Sequence, residues 1–142
     1  MPSFTTQVPN LQAVGPVVEV RLVIGSILEG ILQKSNKAIP APVSALAMID
    51  TGASGTVIRD DIPQRLGLNP VGVTSINTPS STNVSCFEYL VRLLLPNQVV
   101  IETTVIAAPL QGQHIQCLIG RDTLRHSVFV YTGYADMFTL SF

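Results

Sequence analysis

The residues best suited to chemistry lie together in Leu46–Ile58, LAMIDTGASGTVI, where an apolar run delivers the carboxylate of Asp50 into a turn of hydroxyls and glycines before the chain becomes apolar again. Burying a charge is costly unless hydrogen bonds or a neighbouring titration partner compensate it. The turn offers the first kind of compensation. Gly52 lets the backbone bend sharply, its amide can donate to a carboxylate, and the Thr51 hydroxyl can brace the loop against a partner. A lone Asp-Thr-Gly is by default an Asx-turn finishing a strand. The apolar run before this one and ASGTVI after it make coincidence rarer, and the segment reads as a carboxylate holder.

Other chemistries fit less well. Ser54 stands between glycines in GASGT with His126 later in the chain, but the pattern G-x-S-x-G fails at Thr56 and the parallel α/β order of a serine hydrolase is missing. His114 and His126 lack partners at ligand spacing, so no metal site is expected. Cys86 and Cys117 show no C-x-x-C spacing and read as two buried free thiols in a reducing compartment. Asn83-Val84-Ser85 is a glycosylation triplet that matters only in a secreted chain.

The elements that position Asp50 must come from one domain, residues 1–142, long enough to remove roughly 70% of its unfolded surface from water. The residues are 46% hydrophobic and only 12% charged, where a soluble domain usually carries about 25% charged. Some surface is therefore expected to be covered by another subunit, the plain alternative being a monomer coated with Ser, Thr, Asn and Gln. A net charge of −1 argues against nucleic-acid or anionic-membrane partners. No window reaches ~18 apolar residues, and MPSFTTQVPN lacks the basic start and apolar core of a signal peptide. A soluble, cytoplasmic protein without a cofactor is the expectation.

β-Branched residues and short alternating runs dominate, and no stretch of a dozen residues holds a helical apolar period. Val17 to Ile24 places Glu19 and Arg21 on one face and Val18, Val20, Leu22 and Ile24 on the other, the alternation of a half-buried strand. Its partner should be the strand entering Asp50. Residues 30–44 between them, GILQKSNKAIPAPVS, read as an inserted mobile loop. RDDIPQRLGL offers Asp60 and Asp61 as caps, Pro63 in a permitted first turn and Gly67 as a stop, hence one short helix. VGVTSIN rises to the polar tip TPSSTN, and VSCFEYLVRLLL returns with Phe87, Tyr89, Val91, Leu93 and Leu95 on one face. Further strands are expected in QVVIETTVIA, IQCLIG, SVFVY and MFTLSF, separated by turn signals. The sum, about eight strands and two short helices, is an all-β closed or sandwiched architecture. AMIDTG and QCLIGR form a weak internal echo, each an apolar strand, a small turn and helix-starting residues.

In combination these segments resemble the retropepsin-like aspartic proteases, single-domain relatives of the pepsin-like enzymes. MIDTGAS resembles their active-site loop, CLIGRDTL their second signature, and MFTLSF their terminal strand, with a hairpin between the first two where the family keeps its flap. The resemblance covers about residues 17–142. It implies a closed, barrel-like β subunit with a flap hairpin that works as a symmetric homodimer on extended polypeptides.

On that resemblance a single Asp-Thr-Gly is half a site. A two-fold axis sets Asp50 beside the partner's Asp50, where like charges cannot both ionise and one proton is shared. Thr51 is implied to hydrogen-bond across the axis, Gly52 to present backbone to the substrate, and Ala53 and Ser54 to line the site. Asn77, Thr78, Pro79, Ser80, Ser81, Thr82 and Asn83 map to the flap, which here contains no glycine, unlike the glycine-rich retroviral flaps. Arg121 is expected to be structural, tying its helix to Asp60 or Asp61, and Asp122 to cap that helix. The final strand is expected to interleave with its symmetry mate and with the N-terminal segment. The alternative is a catalytically idle dimerisation or peptide-binding module on the same fold.

Overall fold

A computed structural model describes residues 2–78 and 81–142. Among these residues the chain forms ten strands and four short helices. Strand β2, Val17–Ile24, buries Val18, Val20, Leu22 and Ile24 while Glu19 and Arg21 face out. Each such fully buried aliphatic side chain is worth about 1.5–3 kcal/mol, so the alternation fixes which face turns inward. β2 pairs antiparallel with β3, Val43–Ile49, the strand that enters Asp50.

The remaining barrel strands are β4 (Val57–Arg59), β5 (Gly72–Thr78), β6 (Ser81–Leu95), β7 (Val99–Ala108) and β8 (Cys117–Ile119). They run in the order β2-β3-β8-β4-β7-β6-β5, and β2 also pairs with β6. That second pairing closes the first six into a ring, leaving β5 outside it. Inside the ring sit Leu22, Ala47, Ile58, Val91, Leu93, Val105, Cys117 and Ile119, all at 0% exposure. β5 and the first half of β6 project beyond the ring as a two-stranded hairpin. For this reason the expected apolar face of β6 is buried only from Val91 onward, while Phe87 is 53% exposed.

A second sheet joins the ends of the chain. β1 (Ser3–Gln7), β9 (Val128–Thr132) and β10 (Met137–Ser141) run in the order β1-β10-β9, all antiparallel. Pairing with the N-terminal segment is thus present, within one chain. Interleaving of β10 with a symmetry mate is not available, because both of its edges are already occupied by β1 and β9.

α3 (Ile62–Arg65) is the short helix expected in RDDIPQRLGL, and α4 (Arg121–Leu124) the one expected to carry Arg121. α1 (Leu11–Val14), a single turn, is too short to leave a periodic pattern. α2, Ser26–Lys34, overlaps the start of the expected mobile loop at 30–44. Its Leu28 and Leu32 pack on the core while Ile27 and Ile31 face outward, so apolar residues on two faces hide the helical stripe. Glu102 holds its first turn by accepting from the Ser26 amide at 2.6 Å and the Ser26 hydroxyl at 3.0 Å, and Arg92 pairs with Glu29. No helix among the described residues is long and apolar enough to cross a membrane.

Candidate active site

The two echoing segments lie side by side. β3 and β8 run parallel with Ala47 beside Cys117, Met48 beside Leu118 and Ile49 beside Ile119. Both strands therefore end at the same level, and their turns meet. The Asp50 amide donates to Ile119 O at 2.9 Å, which fixes the half-buried Asp50 at the mouth of β3. Gly52 N donates to Asp50 Oδ1 at 2.9 Å, the carboxylate-holding bond expected from the turn. Among the described residues no basic side chain forms an ion pair with Asp50. Its charge is met by a backbone dipole alone. Thr51, Gly52 and Ser54 are exposed and Ala53 is half-buried, so the rim of the turn is open.

The turn is held from behind by the second segment. Arg121 N donates to Ala53 O at 2.9 Å, Asp122 N to Ser54 O at 3.2 Å, and Arg121 Nη1 to Thr51 O at 2.7 Å. The expected tie from Arg121 to Asp60 or Asp61 is not present: its guanidinium bonds the Thr51 carbonyl. Asp61 is engaged by Arg59 at 2.5 Å, whose guanidinium holds that carboxyl below its usual range, and Asp60 accepts from Gln111 at 2.6 Å. An arginine can bind a backbone carbonyl as well as a carboxylate, and here it secures the residue next to Asp50. Gly120 occupies the N-cap position of α4, but the Asp122 carboxylate accepts from Thr123 N in the first turn of that helix at 2.7 Å. It also accepts from Thr56 N at 3.1 Å and Thr56 Oγ1 at 2.8 Å.

Thr56 is the residue that sequence reasoning passed over. It is fully buried. Its hydroxyl proton goes to Asp122, so its oxygen accepts from Gly120 N at 3.1 Å and from the Thr123 hydroxyl at 2.9 Å. One oxygen therefore joins both turns. The available signal was a hydroxyl residue between Gly55 and the apolar Val57-Ile58 that resumes the strand. Gly120 is required by space and not by backbone freedom: a Cβ there would lie 2.4 Å from Gly55 O.

The described residues expected to form the flap lie apart from this cluster, on the β5–β6 hairpin. Asn77 Oδ1 accepts from Asn83 N at 3.0 Å, and Thr78 pairs with Ser81 along the backbone. Asn83 carries φ of +53° and so supplies the left-handed position that a glycine would otherwise fill. Thr82 and Asn83 are exposed. Pro79 and Ser80 lie outside the described residues. Elsewhere, His114 and His126 are exposed, and both cysteines are free and buried.

A family model described as aspartyl protease matches residues 41–123, the span that runs from β3 through both turns. The chain belongs to the aspartyl protease family. Among solved structures it is similar to a retropepsin-like aspartic protease from Rickettsia conorii, at 14% identity and a TM-score of 0.52, covering 99% of this chain and 93% of that one. It is also similar, at 12% identity and a TM-score of 0.43, to the retroviral protease-like domain of Ddi1 from Leishmania major, with 80% of each chain covered. No curated protein sequence matches it. The fold is retropepsin-like, and the expected all-β class holds.

Proposed function

We propose that the chain is one half of an aspartic endopeptidase whose site is completed by a second copy. The observation that carries this reading is the Asp50 carboxylate, held by the Gly52 amide on an open turn and left without a cationic partner among the described residues. Two such carboxylates brought face to face share one proton, since both cannot ionise at close range. The ionised member takes a proton from a water lying between them, and that water attacks the scissile carbonyl. The protonated member stabilises the developing oxyanion and then supplies the leaving amine. Thr51 of each copy braces the pair from the axis side, Gly52 offers backbone to an extended peptide, and Ala53 and Ser54 line the cleft. The hairpin tip, residues 77–83, covers the substrate and excludes water.

Cleavage of a mixed peptide library between about pH 4 and 7 tests the reading. Asp50→Asn, nearly isosteric, is expected to lower cleavage by on the order of 10³-fold or more. Wild type and variant that are equally inert, and that bind a transition-state mimic equally poorly, would reject it. The idle dimerisation or peptide-binding module then becomes the better account. One observation favours a module that is idle because its dimer is weak: β10 is bordered on both sides by its own chain, so dimerisation by interleaved terminal strands is blocked.

A further inference from the structure

Helix α2 and the segment that follows it, residues 26–42, carry apolar side chains that the described fold leaves uncovered. One stripe of the helix turns inward, where Leu28 and Leu32 pack on the core. Ile27, Ile31 and Lys34, spaced four and then three residues apart, form a second stripe that faces out. Ile27 and Ile31 are 75% and 54% exposed, and Ile39 beyond the helix is 41% exposed. No wall rises beside this stripe, since a Cβ on the neighbouring Gly30 would meet nothing within 4 Å. The face is a ridge and not a pocket, so what covers it must be a broad surface.

Charge says what kind of surface. The chain has only two lysines, Lys34 and Lys37, and both stand here, exposed and without an ion pair among the described residues. The Lys37 amide donates to Leu32 O at 2.9 Å and Asn36 takes φ of +53°, so the chain reverses at the helix end and holds Lys37 against the last turn. The acids beside the helix are already engaged: Glu29 pairs with Arg92, and Glu102 accepts from the Ser26 amide and hydroxyl. The unengaged charge of residues 26–42 is therefore wholly positive, although the chain as a whole carries −1. The chain-wide value that argued against an anionic membrane averages this local excess away. A protein partner is less well matched, because protein interfaces are enriched in aromatic residues, Met and Arg and depleted in Lys. Residues 26–42, SILEGILQKSNKAIPAP, contain no aromatic residue, Met or Arg.

We infer that α2 is a docking site for the surface of an anionic lipid bilayer. The helix lies in the plane of the interface. Ile27 and Ile31, about 6 Å apart along the axis, enter the acyl boundary, while the two ammonium groups reach lipid phosphate or carboxylate groups at the headgroup level. So small an apolar stripe with two lysines gives weak, reversible attachment that fades with salt. The inference does not rest on the protease reading, because neither Asp50 nor its turn belongs to α2.

Cosedimentation of the full chain with sucrose-loaded vesicles tests it, one set of phosphatidylcholine alone and one with about a third phosphatidylserine. At low ionic strength wild type is expected to bind the anionic vesicles at least about tenfold more tightly than the neutral ones, and to lose that preference at about 0.5 M salt. Ile27→Asp and the double reversal Lys34→Glu with Lys37→Glu, each verified as folded by circular dichroism, should bind at least about tenfold more weakly. Val128→Ser, at an exposed apolar residue of β9, should bind as wild type. A wild type that stays in the supernatant with both vesicle sets overturns the inference. So does equal binding to both sets, or a folded Ile27→Asp protein that binds as wild type does. If Ile27→Asp dissociates an oligomer in lipid-free buffer, a second copy covers the ridge, and the inference is overturned as well. Peptide cleavage without vesicle binding rejects only the membrane site, and vesicle binding without cleavage rejects only the protease reading.

Discussion

The turns at Asp50 and Gly120 and the β5–β6 hairpin are built in opposite ways. In the turns, eight bonds cross between segments more than sixty residues apart: Asp50 N to Ile119 O, Gly120 N to Thr56 Oγ1, Arg121 N to Ala53 O, Asp122 N to Ser54 O, Arg121 Nη1 to Thr51 O, Thr56 N to Asp122 Oδ2, Thr56 Oγ1 to Asp122 Oδ1, and the Thr123 hydroxyl to Thr56 Oγ1. The hairpin bonds chiefly to itself. Before Glu88, β6 has only β5 beside it, and Val71, Val73 and Phe87 are 61%, 61% and 53% exposed. A two-stranded ribbon is at best marginally stable alone, whereas a cross-linked pair of turns cannot open without breaking the barrel.

The two buried thiols sharpen the contrast most, because one belongs to each region. Burial, and then the nearby Asp122 charge, push the Cys117 thiol up to about 12. At pH 8 only roughly one molecule in 10⁴ would carry its thiolate, and a reagent would also have to enter the barrel. Cys86, in the projecting part of β6, is raised by burial and the Asp60 charge, but needs only the hairpin to open. Alkylation at pH 8 read by peptide mass spectrometry should modify Cys86 on the order of 10³-fold faster than Cys117, given a global stability of about 5 kcal/mol or more. Equal rates would mean that hairpin and barrel open together, and the comparison would fail.

Gly120→Ala attacks the turns directly. Its new Cβ would meet Gly55 O at 2.4 Å and Gly55 C at 2.5 Å, both backbone atoms with no rotamer to yield. A loss of about 3 kcal/mol or more is expected in urea unfolding, with peptide cleavage lost even where the protein stays folded. A variant of wild-type stability would show that the turns can separate, contrary to the bonds across them.

How much of this was readable beforehand depended on whether the cause was local. The alternation of β2 and the Gly52-to-Asp50 bond arise within a few residues, and both were legible. The echo of AMIDTG in QCLIGR was visible too, but only the parallel pairing of Ile49 with Ile119 gives it meaning. Arg121 was misassigned because sequence lists its charged neighbours and not the carbonyl of Thr51, which is its partner here. Thr56 escaped because its three partners, Gly120, Asp122 and Thr123, lie more than sixty residues away. α2 was lost because it owes its first turn to Glu102 on a distant strand and shows apolar residues on two faces.

Thr56→Val should weaken the same junction by less. The shape is kept, but Asp122 loses a donor and Gly120 N and the Thr123 hydroxyl lose an acceptor, all at a buried position. About 2 kcal/mol of destabilisation is expected from urea unfolding. Thr56→Ser, which keeps the oxygen, should cost less than half of that. If valine and serine were equivalent, the junction would be held by packing and not by its shared oxygen.

Phe87→Thr carries the smallest expected effect and bears on the other side of the comparison. Threonine keeps the β-branched preference of a strand, and a side chain already 53% exposed leaves little contact to lose. Unfolding free energy should therefore move by no more than about 0.5 kcal/mol. If the hairpin covers bound peptide, the change falls on KM while kcat stays near wild type, since Phe87 stands on the hairpin and not in the Asp50 turn. A loss of more than about 1.5 kcal/mol would place Phe87 in a packed interface. The hairpin would then be an extension of the barrel wall, as rigid as the turns, and the division between a fixed pair of turns and a loosely held hairpin would have to be abandoned.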